Sequence, residues 1–280
     1  VNPDPARVDR AIRRSGYAVV PSFIPPALLR EFADELAGQL LPNQPGGSLR
    51  RLREWRPTSE EQLRLREAGY RTAAQHKLTH YRPLADLMAA LLDGPVWAQP
   101  RRFLRLVAPS TDTYGTDPHQ DYRYVQGAVD TLTAWIPLHL VLADESSLRV
   151  VQGSHKNGLW PITDATDGAL PHPVGIAADD DRWCPLTFYP GDIAIFHSLT
   201  LHCTTPPQHD LARLSLDVRY QRTDAPVAAS ALLAPYPCPN NDDPLQWTHD
   251  PQLALPDPLP TVVNVPHDEV VLPDGASRFV

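Results

Sequence analysis

R-L-S-L-D-V-R-Y, residues 213–220, alternates polar and apolar side chains without a break. In a strand, Arg213, Ser215, Asp217 and Arg219 share one face, and Leu214, Leu216, Val218 and Tyr220 share the other. A polar face around an internal cavity and an apolar face packed on helices would fit a barrel with a site inside. A polar face turned to solvent fits the same pattern, and alternation alone does not choose between them. Runs of the same kind precede it: R-R-F-L-R-L-V from Arg101, L-T-A-W-I-P-L-H-L-V-L from Leu132, S-L-R-V-V from Ser147, L-T-F-Y from Leu186, D-I-A-I-F-H from Asp192 and L-H-C-T-T from Leu201. Each is short and bounded by turn residues, as strands are. So many strands in one stretch predict a β-sandwich or barrel of the jelly-roll kind.

Outward from this region the pattern changes. Helices are expected over Pro5–Arg14, from Pro25 to about Leu41, over Glu60–Ala68 and over Pro83–Leu92, with Y-A-V-V (17–20) as a short strand. Residues 46–59 read as loop. Residues 160–183 read as a polar insertion or lid, with Asp179, Asp180 and Asp181 at its end. The chain has 32 prolines, and the stretch after Asp224 is rich in them, which disfavours long helices there. The expected organisation is one domain over 1–280: N-terminal helices over about 1–95, a mainly β core over about 96–223 packed against them, and a Pro-rich extension over about 224–280.

Composition narrows the function. The chain has 280 residues, 42% of them hydrophobic, and a net charge of −8. The arginines between Arg50 and Arg71 are interleaved with Glu54, Glu60, Glu61 and Glu67, so no basic block is available for nucleic acid or an anionic membrane. No run approaches the roughly 20 apolar residues of a membrane-spanning helix. Cys184, Cys203 and Cys238 form no CxxC pair, which argues against a disulfide framework or a structural zinc site. The expectation is a soluble, cytoplasmic protein acting on a small molecule. The oligomeric state is not legible.

The chemistry-bearing residues lie in T-D-P-H-Q-D-Y (116–122) and downstream. His119 and Asp121 stand two apart, which in an extended segment directs both side chains to one side. An HxD pair alone is common by chance. Its third partner must come from a distant strand, where His197 and His202 compete. His202 is preferred, because it shares a strand face with Thr204, whose hydroxyl can bond a carboxylate. Two imidazoles and one carboxylate hold iron(II) on one face and leave three coordination positions open. Arg213, eleven residues after His202, is a permanent cation suited to a dicarboxylate cosubstrate. The other histidines have plainer readings. His76 and His80 read as surface residues, His139 as a satisfied core or barrel histidine, His155 as part of a turn, and His172, His209, His249 and His267 as loop residues.

These residues carry a resemblance. G-Y-A-V-V-P-S-F-I, P-H-Q-D-Y, T-A-W-I-P-L, S-L-R-V-V-Q-G-S-H-K-N-G, G-D-I-A-I-F-H-S-L-T-L-H and R-L-S-L-D-V-R-Y occur in the order seen in the phytanoyl-CoA dioxygenase family of iron(II)/2-oxoglutarate oxygenases, which the chain resembles from about residue 10 to 222. The resemblance implies a double-stranded β-helix core, iron(II) on His119, Asp121 and His202, 2-oxoglutarate held by Arg213 with Thr204 and Arg105, and dioxygen as co-reactant. The turn before Leu148 reads A-D-E-S-S-L, without the glycine the family often has there. Tyr122, Tyr124, Trp135 and Arg219 are the expected substrate contacts, Trp135 equally a core residue. Asp121 is present, whereas a halogenating relative would replace that carboxylate, so hydroxylation of a small metabolite, in natural-product biosynthesis, is the expected reaction. Epimerisation, desaturation and cyclisation are open to the same site. A metal-binding β-barrel without oxygenase activity is the alternative of another class.

Overall fold

The computed structural model of the chain describes residues 3–108, 116–162, 173, 175–177, 179–204, 210–232, 255–266, 269–272 and 277–280. Its elements are, in order, α1 (Pro5–Ser15), β1 (Tyr17–Val20), α2 (Pro26–Leu40), α3 (Ser48–Glu54), α4 (Ser59–Arg71), α5 (Ala73–Thr79), α6 (Arg82–Leu92), β2 (Val96–Ala98), β3 (Phe103–Val107), α7 (Tyr122–Val125), β4 (Leu132–Pro137), β5 (Leu148–Val151), β6 (Trp183–Pro185), β7 (Ile193–His197), β8 (His202–Thr204), β9 (Arg213–Arg222), β10 (Val227–Ala228) and β11 (Val262–Val263). No helix among the described residues is long and apolar enough to cross a membrane.

The larger sheet runs β1-β7-β4-β9-β2, with β3 also paired to β9. All its pairings are antiparallel. A smaller antiparallel sheet runs β6-β5-β8. The alternation of β9 divides its residues as the pattern required. Leu214, Leu216, Val218 and Tyr220 join the main core with Leu29, Leu36, Leu78, Leu87 and Met88 from the helices. The polar positions are buried too, Arg213 at 2% and Asp217 at 6% exposure, so the solvent-facing alternative is excluded. Trp135 of β4 and Ala194 and Phe196 of β7 pack on Leu148 and Val150 of β5, closing the space between the two sheets. This is a jelly-roll core covered by helices on one outer face.

Local chemistry explains the helix ends. Asp4 caps α1 by accepting from the Ala6 amide at 3.0 Å, and Val8 and Ile12 bury one stripe. Thr58 and Glu61 form a reciprocal capping box at the start of α4, which begins at Ser59 and runs to Arg71, past the expected Ala68. The stretch 46–59, expected as loop, contains α3. Its Leu52 is fully buried, and Arg51 reaches back to the Leu41 carbonyl at 2.6 Å after α2. An arginine-rich helix of seven residues leaves too short an apolar stripe to be read. α5, capped by Thr72, was likewise unmarked. L-T-F-Y is no strand but a single bridge, Phe188 with Val141, and the strand beginning at Leu132 ends at Pro137. Half of the insertion read over 160–183 lies outside the described residues. At its end Asp180 is paired with Arg182, and Trp183 begins β6. In the Pro-rich extension β10 pairs parallel with β11, and Phe279 enters the main core.

Gly16 ends α1 in the left-handed region, at φ 84°. A Cβ there would lie 2.5 Å from Thr200 Oγ1 and 2.8 Å from His155 Nδ1. Gly16→Ala is expected to cost about 2–4 kcal/mol, combining backbone strain with overpacking. Urea unfolding of the two proteins measures it.

Candidate metal and cosubstrate site

His119 forms an isolated antiparallel bridge with His202, closed by two backbone hydrogen bonds of 3.0 Å. That pairing ties the HxD segment to the edge of the smaller sheet and brings the two rings to 4.1 Å between centroids. The segment is not extended through Asp121, as the i, i+2 argument assumed. Asp121 takes a helical conformation (φ −55°, ψ −36°) at the head of α7, and the turn swings its carboxylate under the rings. Asp121 Oδ1 lies 3.7 Å from His119 Nε2 and 3.9 Å from His202 Nε2. One donor atom from each of the three residues falls within 4.8 Å of the others.

Both rings are oriented by their far nitrogens. His119 Nδ1 donates to the Asp117 carbonyl at 2.7 Å, and His202 Nδ1 donates to the Thr200 carbonyl at 2.9 Å. A neutral imidazole has one N–H, so each Nε2 keeps its lone pair directed at the shared space. Phe196 packs on His202, with ring centroids 4.5 Å apart. Burial, then the His202 ring, push His119 down to about 3, and burial lowers His202 as well. Burial alone would raise the Asp121 carboxyl. The Arg219 guanidinium, then the His202 ring, outweigh it and hold Asp121 below the usual carboxylate range. Neutral imidazoles beside an ionised carboxylate are the protonation states a divalent cation requires.

The other expected site residues fall in distinct places. Thr204 lines the same cavity as the three residues above. Arg213 sits behind it, fully buried. Its Nε donates to the Ser146 carbonyl at 3.1 Å, Nη1 to Ser215 Oγ at 2.5 Å and Nη2 to Thr204 Oγ1 at 3.4 Å. Its guanidinium lies over the Trp135 ring at 5.7 Å. Burial, partly offset by Asp217, pushes Arg213 down to about 10, so it stays charged at neutral pH. Arg105 lines the cavity and pairs with Asp217 at 2.7 Å. Trp135 lines it too while packing on Phe188 at 4.7 Å, so the functional and core readings coexist. Tyr124 sets its ring edge against His119 at 5.8 Å. Tyr122 instead packs with Val129, Leu199 and Val270, in a separate apolar cluster. Arg219, expected at the mouth, is buried and binds Asp121 through two bonds, of 2.7 and 3.1 Å.

Sequence reasoning passed over Thr133 and Phe196 as site residues and gave Asp217 no role beyond its place on the polar strand face; all three line the cavity. Thr133 stands two before Trp135 on one strand, so period-two alternation was the available signal. His197, the rejected candidate, is buried, and its Nε2 pairs with Asp130 at 3.0 Å.

Two more histidines lead to an expected acid sensitivity. His139 Nδ1 donates to the Leu140 carbonyl at 2.5 Å and Nε2 accepts from the Leu214 amide at 3.1 Å. Burial, then Arg53, push it down to about 3. His155 is buried within a 3-10 turn, and burial pushes it down to about 4. In the unfolded chain both rings protonate near their ordinary 6.5. From there down to about 4 the unfolded chain therefore holds more protons than the folded protein. Folding stability is expected to fall with pH across that window, by up to about 1.4 kcal/mol per pH unit for each ring. Urea unfolding at pH 7, 6 and 5 checks the slope.

A family model described as phytanoyl-CoA dioxygenase matches residues 12–209. Among solved structures, the chain is similar to the epimerase SnoN in complex with Fe3+, alpha ketoglutarate and nogalamycin RO. The identity is 22%, with 79% of this chain and 86% of that chain covered and a TM-score of 0.57. It is also similar to SnoK, a non-heme alpha ketoglutarate dependent carbocyclase from nogalamycin biosynthesis, at 18% identity over 82% of this chain and 86% of that one, with a TM-score of 0.54. EvdO2 from Micromonospora carbonacea var. aurantiaca complexed with 2-oxoglutarate is similar at 15% identity over 76% and 89%, with a TM-score of 0.55. At these identities the likeness is one of fold.

Proposed function

Because the chain belongs to the phytanoyl-CoA dioxygenase family, we propose that His119, Asp121 and His202 hold iron(II), that Arg213 and Thr204 hold 2-oxoglutarate, and that the enzyme oxidises an unactivated C–H bond of a small natural-product intermediate. The observation that carries this reading is the convergence of two Nε2 lone pairs and one ionised carboxylate within 4.8 Å, in front of a buried arginine. Among the described residues no carboxylate lies within ion-pairing distance of Arg213. A buried cation whose hydrogen-bond partners among the described residues are hydroxyls and a carbonyl suits the second carboxylate of the cosubstrate.

Bound iron, with 2-oxoglutarate and dioxygen, supplies the oxidising power. The residues supply the rest. The Asp117 and Thr200 carbonyls keep both imidazoles in the tautomer that exposes Nε2. Arg213 and the Thr204 hydroxyl fix the far end of the cosubstrate. Trp135 and Phe196 wall the site with apolar surface and limit access of water. Arg105, paired with Asp217, stands beside the cosubstrate region, and Tyr124 borders His119 where substrate enters. The acidic charge balance supports a small-molecule enzyme, placed in the cytoplasm on this reading, rather than one acting on nucleic acid or an anionic membrane. The shared core of helices, sheet and Phe279 supports one domain over 1–280.

SnoN is an epimerase and SnoK a carbocyclase, so one fold serves different reaction outcomes. That supports epimerisation or ring closure as the second reading, which product analysis separates from hydroxylation. The test of the primary reading is anaerobic addition of iron(II) and then 2-oxoglutarate to the apoprotein, followed by visible absorption. A weak charge-transfer band that needs both additions is expected. Tight zinc binding with no such band would instead favour a metal-binding barrel without oxygenase activity.

A further inference from the structure

The Asp121 carboxylate is gripped from the side away from the imidazoles. Its Oδ2 accepts from Thr133 Oγ1 at 2.7 Å and from Arg219 Nε at 3.1 Å. Its Oδ1, the oxygen facing His119 and His202, accepts from Arg219 Nη2 at 2.7 Å. Thr133 and Arg219 are direct cross-strand partners on β4 and β9, so both donors stand on central strands of the larger sheet. A carboxylate oxygen has about two lone-pair directions. Those of Oδ2 are taken, and Oδ1 retains one.

We propose that Thr133 and Arg219 are positioning residues that restrict Asp121 to a one-oxygen metal ligand aimed between the two imidazoles, and that Arg219 also neutralises Asp121 when no cation is bound. The proposal rests on the metal-site reading above. Its functional content is a count of positions. Two histidines and one carboxylate oxygen leave three positions of an octahedral ion for the cosubstrate and dioxygen. A carboxylate swung to bind through both oxygens would remove one of the three. Arg219 prevents the swing by holding both oxygens at once, and Thr133 pins the rear one. The second role follows from burial. Asp121 and Arg219 are 1% and 4% exposed, where an unpaired charge is strongly unfavourable.

Cobalt(II) is the probe, because its visible spectrum reports coordination number and needs no oxygen chemistry. Thr133→Val keeps the shape and removes one donor. It is expected to weaken cobalt(II) binding roughly tenfold or more and to alter the spectrum. Arg219→Met is expected to lower the melting temperature of the apoprotein, since it leaves a buried carboxylate without its cation, and to alter the cobalt(II) spectrum. Arg219→Lys restores the charge without the two-pronged grip, so its melting temperature should recover while its spectrum stays altered. Wild-type affinity and spectrum in both Thr133→Val and Arg219→Met would overturn the proposal. If Arg219→Met does not fold, Thr133→Val decides alone. Failure of the underlying metal site looks different: wild type would then bind cobalt(II) no more tightly than His202→Ala, and both readings would fall.

Discussion

Replacing His202 with alanine is expected to abolish iron(II)-dependent turnover and to weaken iron affinity by more than the roughly 10–100-fold that loss of an outer-shell partner costs. The side chain is one of three that converge, and its Nε2 is free because Nδ1 is committed to the Thr200 carbonyl. Alanine removes the ligand and leaves His119 and Asp121 as an incomplete grip. The informative control is His197→Ala. His197 is buried and engaged with Asp130, which also accepts from Ser277 and from the Arg278 amide. That substitution should lower stability by leaving a half-buried carboxylate short of a donor, while iron affinity stays near the wild-type value. Metal titration and thermal unfolding of both variants separate the roles. Equal iron affinity in His202→Ala and wild type would sink the assigned ligand set.

Arg213→Ala is expected to lower 2-oxoglutarate affinity by about 2–5 kcal/mol, roughly 30- to 5000-fold, with iron affinity retained. The argument is again one of pairing. The buried guanidinium donates to Ser146, Ser215 and Thr204, so its place is fixed before any ligand arrives. A carboxylate reaching it meets a desolvated, oriented cation. Arg213→Lys keeps the charge but loses the planar fork, so only partial recovery is expected. The measurement is the anaerobic band as a function of 2-oxoglutarate concentration at saturating iron. An unchanged midpoint in Arg213→Ala would leave the arginine without a role and favour the non-oxygenase barrel. Both substitutions test positions chosen from pattern and resemblance, whereas the roles proposed for Thr133 and Arg219 rest on the tertiary structure alone.

That contrast marks what was legible. Alternation along 213–220 was enough to separate a polar row from an apolar row, because a strand has a period of two whatever it packs against; that the polar row is buried came from the structure. The order of motifs identified the family, and His119, Asp121, His202 and Arg213 were nameable from spacing and resemblance. Short helices such as α3 escaped, because a seven-residue helix resting on one fully buried leucine carries almost no periodic signal. The approach of His119 to His202 is a bridge between residues 83 positions apart, and no local pattern encodes it. The helical turn at Asp121, Arg219 on Asp121 rather than at the cavity mouth, and Tyr122 in a separate apolar cluster were all set by packing across strands. A sequence by itself determines which face of a strand a residue occupies; which residue that face then meets depends on long-range register, and only the tertiary structure decides it.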